Sequence, residues 1–214
     1  MSILFEDRRA YQIAEEKARK VISKLTPEIV AAERKVEYDA EERKFSLRLF
    51  DQEIRITYPD GVVLAESGSR VSGAVAVVAL HYLFYSGEPV AGHGWLPYRE
   101  MPGARHFCRA YEQMAETRLS AYFGNKPERF AVCAGALGGE REDIGESSFL
   151  IYALPRIPLL IAMWFATDEF ASEAKIYYQP NASYYLHTED LAVIGVLAVD
   201  RLIRMDETLG INSS

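Results

Sequence analysis

Between Val71 and Tyr85 the chain is apolar on every helical face, broken only by Ser72, Gly73 and His81. A helix without a polar stripe has no water-facing side, so other elements must surround it. It is also too short for a bilayer, which takes roughly 20 consecutive apolar residues. The segment is therefore expected to be a central buried helix closed by Gly87, with the remaining elements packed around it. A chain of 214 residues has enough surface to bury for one sizeable core. A single domain over residues 1–214 is expected, with residues 1–70 and 71–214 as possible sub-lobes.

The covering elements follow from periodicity. From Phe5 to Leu25, Tyr11, Ile13, Ala14, Ala18, Val21 and Ile22 recur at helical spacing among charged residues, which predicts an amphipathic helix. Thr26 and Pro27 read as N-cap and first position of a second helix ending near Arg34. Phe45, Leu47 and Leu49, then Ile54 and Ile56, alternate with polar residues around an expected turn at Asp51-Gln52. The Tyr58 to Gly61 turn leads into Val62 to Leu64, which completes a small antiparallel meander. Gly87 to His106 reads as a structured loop with one short strand. Helices are expected over Phe107–Tyr122 and Pro127–Leu137, the second stopped by Gly138-Gly139. Buried strands are expected over Phe149–Leu154, Ile157–Phe165 and Ala174–Tyr178. A terminal helix over Leu191–Ile203 follows, with Thr188 as N-cap and Glu189 and Asp190 in its positive first turn. The class is α+β: N-terminal helices and a small antiparallel meander, a central buried helix, then a C-terminal helix–sheet–helix arrangement.

Charge and cysteine content exclude several classes of function. Lys plus Arg total 24 and Asp plus Glu total 31, a net charge of −7, which argues against a nucleic-acid partner. Cys108 and Cys133 have neither the number nor the spacing of a disulfide framework or a CxxC metal clip. Met1 to Tyr11 brings Glu6, Asp7, Arg8 and Arg9 almost at once and shows no apolar signal core, so a cytoplasmic setting is expected. No GxxxxGK[ST], GxGxxG or GxSxG pattern occurs, which argues against phosphate cradling and a nucleophile elbow. No histidine pair has HExxH or i, i+4 spacing, so no dedicated metal site is expected.

The residues that remain can carry binding. His81 is either a satisfied core histidine or a buried ligand or base. His93 and His106 bracket the central loop, and His187 stands before the expected N-cap. Trp95, Tyr98 and Arg99 on that loop offer flat faces and charge, as ligand pockets do, and they compete with a reading in which the loop folds back on the core. Arg156, between Pro155 and Pro158, must find an anion or leave through a strand edge; Asp168, Glu169, Glu189 and Asp190 are possible partners, and a ligand carboxylate or phosphate is the alternative. Tyr184 belongs to a tyrosine group with Tyr177, Tyr178 and Tyr185 that either walls a flat ligand or packs in the core.

Four ordered segments carry a resemblance: Leu80-His81-Tyr82-Leu83, Gly94 to Glu100, Ala153 to Leu159, and Asp168-Glu169-Phe170 with Tyr185 to Leu191. From Tyr11 to Leu202 the chain resembles domain-of-unknown-function family 3786, a group of uncharacterised proteins of anaerobic bacteria and archaea. The resemblance implies an anaerobic setting and a corrinoid or tetrapyrrole context, because some relatives carry a cysteine-rich iron–sulfur module. This chain lacks the cysteines for such a cluster, and it lacks the DxHxxG signature of many corrinoid enzymes. The expectation is a cytoplasmic cofactor-binding protein, for a cobamide (cobalamin) or haem. Its site would draw on His81, His93, Trp95, Tyr98, Arg99, His106, Arg156, Tyr184 and His187. Two alternatives stand beside it. One is an enzyme using carboxylate and histidine acid–base chemistry, with Glu100, Glu169 or Asp190 as acid or base. The other is a docking partner of an iron–sulfur or corrinoid redox protein; a homodimer fits all three readings.

Overall fold

The structure, a computed structural model, describes residues 8–210. Helix α1 (Arg8–Ile22) turns its apolar stripe inward, burying Ala18 and Ile22, and packs along α3 (Ala74–Phe84). The expected start of α1 at Phe5 lies outside the described residues, and its C-terminal end falls at Ile22 rather than Leu25. Helix α2 (Pro27–Arg34) has Thr26 as N-cap and Pro27 at its start, and it ends where Lys35 enters the left-handed region. In α3, eight of the eleven residues are buried, as an all-apolar helix requires. It starts later than Val71 because the Val71 N–H is bonded to the Val63 carbonyl, which holds that residue beside a strand. Tyr85, not Gly87, is its C-cap.

Two antiparallel sheets flank the helices. The first runs in the order β1 (Glu37–Asp39), β2 (Lys44–Leu49), β3 (Gln52–Thr57), β4 (Val63–Ala65). Phe45 opposite Ile56 and Leu47 opposite Ile54 put one continuous apolar face into the core. The turn between β2 and β3 is Phe50-Asp51, one residue earlier than expected, because Leu49 pairs with Gln52. Phe50 takes φ +56° and buries its ring, and its N–H is bonded to Ala153 O at 2.8 Å, which ties this turn to the second sheet.

The second sheet has the order β5 (Leu96–Pro97), β9 (Glu173–Tyr178), β8 (Ile157–Trp164), β7 (Ser147–Leu154), β6 (Glu140–Glu142). Between β5 and β6 lie two 3₁₀ turns, Tyr98–Glu100 and Ala104–His106, and helices α4 (Cys108–Met114), α5 (Glu116–Phe123) and α6 (Pro127–Ala136). The expected single helix over Phe107–Tyr122 is broken at the buried Ala115. The break turns Glu116 inward, where it accepts from Lys175 Nζ at 3.0 Å and from the Ile176 N–H at 3.3 Å on β9.

After the four-residue α7 (Ala182–Tyr185), helix α8 (Thr188–Thr208) runs through the centre against α3, α4, α5 and α6. It is longer at both ends than Leu191–Ile203. Its N-cap is His187, not Thr188, whose hydroxyl donates to the Pro102 carbonyl instead. The chain is mixed α+β, and α3 and α8 form the buried axis that brings distant polar residues together.

Candidate functional site

The end of α3 meets the beginning of α8. His81, in the last turn of α3, and Asp190, in the first turn of α8, approach at 2.8 Å between Nδ1 and Oδ2. Asp190 is buried in the first turn of a 21-residue helix. A carboxylate accepts and cannot donate, so Nδ1 carries the proton and Nε2 remains the nitrogen open to a ligand. An acid-oriented imidazole of this kind is built to take up or give a proton at Nε2.

A set of tyrosines fixes the first turn of α8. Tyr98 donates to the Thr188 carbonyl at 3.2 Å and Tyr178 to the Leu191 carbonyl at 2.9 Å. Tyr98 stacks on Tyr111 with ring centroids 4.1 Å apart, and the Tyr111 and Tyr178 hydroxyls meet at 3.0 Å. Burial raises the phenols of Tyr98, Tyr111 and Tyr178 well above their ordinary value, so they are neutral hydrogen-bonding groups. Gly195 allows this approach: a Cβ there would lie 2.4 Å from the Tyr178 hydroxyl.

The dyad opens onto a cleft of about 760 Å³, within the usual range for small-molecule sites. His187 and Tyr85 form one side, with ring centroids 3.7 Å apart, and His187 lies 5.2 Å from His81. His106 and Phe107 also line it, and Glu88 and Glu189 add carboxylates. Partial burial pushes the His187 imidazole below its ordinary value, outweighing the attraction of Asp190, and the nearby His81 acts in the same direction. Tyr85 is itself held from behind. The buried Arg34 donates Nη2 to its carbonyl at 2.8 Å, while Nε and Nη1 have no acceptor among the described residues. The guanidinium lies 5.6 and 5.2 Å from the rings of Tyr184 and Tyr185. Gly87 lets the chain turn beside this wall, since a Cβ would meet Ser183 O at 2.5 Å and the Tyr85 hydroxyl at 2.7 Å.

Of the residues singled out from sequence, His81, His106 and His187 share this cleft with Asp190. His93 is exposed and Trp95 half-buried on the loop before β5. Tyr98 and Arg99 line a separate small cavity of about 90 Å³ with Cys108, Glu116 and Lys175. Burial, chiefly, raises the Cys108 thiol above its ordinary value. Arg156 sits in the turn between β7 and β8 and donates Nε to the Glu33 carbonyl at 3.3 Å. Its partner is thus a backbone carbonyl rather than one of the acidic side chains. Tyr184 packs under Arg34, and Glu100 and Glu169 are exposed. Tyr85, Phe107, Glu88 and Arg34 were not singled out, because aromatic residues beside an apolar helix read as core and single charges read as surface. Among the described residues, no group of three or more His, Cys, Asp or Glu side chains is placed to hold a metal ion. No helix among them is long and apolar enough to cross a membrane.

A family model described as a domain of unknown function, DUF3786, matches residues 26–201. The chain belongs to the DUF3786 family. The match takes in both halves of the His81–Asp190 dyad and every residue that lines the cleft. No curated protein and no solved structure matches the chain.

Proposed function

We propose that this DUF3786 chain is a small-molecule-binding protein whose cleft performs general acid–base chemistry, with His81 moving the proton and Asp190 orienting its ring. The observation that carries this reading is the 2.8 Å contact between His81 Nδ1 and the buried carboxylate of Asp190 at the edge of a cleft of about 760 Å³. His187 and His106 are positioned to take or return a proton at the same ligand. The test uses His81→Gln and Asp190→Asn beside the wild type, each incubated with a pool of cellular metabolites and followed by mass spectrometry. Wild type converts a metabolite, and both variants, still folded by circular dichroism, lose about 10²-fold or more of that rate. Full activity in either variant overturns the assignment.

Three histidines on one cleft favour a second reading, in which the site binds a tetrapyrrole and His187 or His106 supplies an axial imidazole. The donor set separates the two candidates. Among the described residues no Lys or Arg lines the cleft, so the propionates of haem would face Glu88 and Glu189, whereas the amide fringe of a corrinoid tolerates those neighbours. When bound, a corrinoid would supply cobalt chemistry that this chain's residues do not possess. Anaerobic titration with cobinamide, cobalamin and haem, read in the visible spectrum, tests this. A stoichiometric change lost in His187→Ala or His106→Ala supports ligation, and a flat titration rejects it. An iron–sulfur or corrinoid partner and a homodimer fit the same reading, and the unpaired thiols Cys108 and Cys133 support a reducing, cytoplasmic setting.

A further inference from the structure

We infer a second ligand site, separate from the cleft, in which Arg34 and Arg156 bind a compact oxyanion, a carboxylate or phosphate group. The cleft lining includes neither residue. Arg34 ends α2 and is 3% exposed. Its Nη2 donates to the Tyr85 carbonyl at 2.8 Å, and its Nε and Nη1 have no acceptor among the described residues. A guanidinium cannot shed its proton, so a buried one needs acceptors for its N–H groups and an opposite charge. The end of α2 has few carbonyls left to give. Ala31 accepts from the Lys35 and Val36 N–H groups, Glu33 from Arg156 Nε at 3.3 Å, and Arg34 from Tyr82 Oη at 2.7 Å. Nor does a carboxylate answer the charge. Among the described residues none of Arg34, Lys35 and Arg156 forms an ion pair, and Glu33 and Glu37, their acidic neighbours in sequence, are exposed. Tyr184 and Tyr185 attract the Arg34 guanidinium, 5.6 and 5.2 Å from their rings, without offering its free N–H groups a carbonyl or carboxylate oxygen. A trapped water would satisfy an N–H and leave the charge, whereas an oxyanion satisfies both. Both tyrosines are half-buried, so one side-chain layer separates the guanidinium from solvent, and turning a ring of the four-residue α7 aside uncovers it. Arg156 supplies a second guanidinium at the same helix end. Only its Nε is engaged, which leaves its terminal nitrogens to the same anion.

The experiment follows the Nε–H NMR signal of Arg34 in the full chain, identified by its loss in Arg34→Lys. Sodium phosphate, sodium acetate, sodium chloride and the neutral acetamide are added separately at constant ionic strength, so that screening is the same throughout. Phosphate or acetate moves the signal saturably, and the tighter of the two names the group that the ligand carries. Chloride and acetamide leave it in place. The binding oxyanion also raises the melting temperature of wild type and not that of Arg34→Lys, which keeps the charge and loses the planar fork. Arg156→Gln weakens the oxyanion about tenfold. If neither oxyanion moves the signal saturably, or if chloride moves it as far, Arg34 is a structural group satisfied by trapped water and the site is rejected. Binding to Arg34→Lys as tight as to wild type rejects it as well.

Discussion

The imidazole of His81 and the carboxylate of Asp190 meet at 2.8 Å although 109 positions separate them in the chain. Neither residue needs the other for its own helix. His81 interrupts an otherwise apolar face of α3, and Asp190 satisfies the positive end of α8, so each is explicable locally. Their contact exists because these two helices form the buried axis of the fold and cross where one ends and the other begins. A polar pair at that crossing is partly withdrawn from water, which strengthens it and makes either half costly to leave alone.

Removing one member should therefore separate stability from chemistry. Asp190→Ala leaves the Nδ1–H of His81 without its acceptor and is expected to cost about 1–3 kcal/mol. His81→Asn, which can still offer a donor to Asp190, should cost less than about 1 kcal/mol and, on the proposed acid–base reading, still abolish proton transfer. Urea denaturation of both variants gives the first quantity, and the metabolite-conversion assay that tests the proposed function gives the second. Equal stability losses in the two variants would contradict a pair held by this hydrogen bond.

His187 gives a pH signature. Partial burial lowers its imidazole below the ordinary value of 6.5 in the folded chain. As pH falls below 6.5 the unfolded chain takes up this proton before the folded one, so stability declines across the interval down to the folded value and is unaffected above 6.5. The urea midpoint measured against pH should show this decline in wild type. It should flatten in His187→Gln, and an unchanged profile in that variant would assign the titration elsewhere.

How much of this was readable in the sequence depends on whether the cause is local. The apolar run of α3 and the alternation of β2 and β3 are local patterns, and their positions followed from them. Strand β6 is Glu140-Arg141-Glu142, with no apolar residue to set a period, and it exists through its pairing with β7. Helix α7, at four residues, is too short for periodicity to register. The interruption at Ala115 brings Glu116 to Lys175, 59 positions away, a contact no local pattern announces. The site divides in the same way. His81, His106, His187 and Asp190 could each be noticed as a titratable group, but only the packing of α3 on α8 makes them one cleft. Tyr85 and Phe107 look like core aromatics in the sequence and become cleft walls only once α3 and the 3₁₀ turn at Ala104–His106 are folded together.

Gly195 tests how the first turn of α8 is positioned. Its Cα faces Tyr178 and Tyr111, and an added Cβ would fall 2.4 Å from one hydroxyl and 2.6 Å from the other ring. Helix propensity alone would make Gly195→Ala stabilising by up to about 1 kcal/mol. The clash outweighs that gain, since both tyrosines are fully buried, and a net loss of about 1–3 kcal/mol is expected. Tyr178→Phe keeps the space but removes the bond to the Leu191 carbonyl, for about 1 kcal/mol. If Gly195→Ala raised the melting temperature, the tyrosines would be free to move and could not be fixing this turn.

A second buried carboxylate cluster lies at the other end of α8. Asp206 is 1% exposed and accepts from Tyr122 Oη at 2.8 Å and Arg129 Nε at 2.7 Å. Burial alone would raise its carboxyl, but the Tyr122 hydroxyl and the Arg129 guanidinium outweigh that and hold it below the ordinary 3.8. The folded chain thus keeps this carboxylate charged to lower pH than the unfolded chain does. The stability it contributes is complete well above 3.8 and is lost as pH falls through that value toward the folded one. Asp206→Ala leaves two donors without their acceptor and should cost about 2–4 kcal/mol near neutral pH, measured by urea denaturation. The difference from wild type should shrink as the pH is lowered toward 3, where protonation begins to remove the same interaction from wild type. A difference that stayed constant over that range would assign the loss to the cavity left by the side chain rather than to its charge.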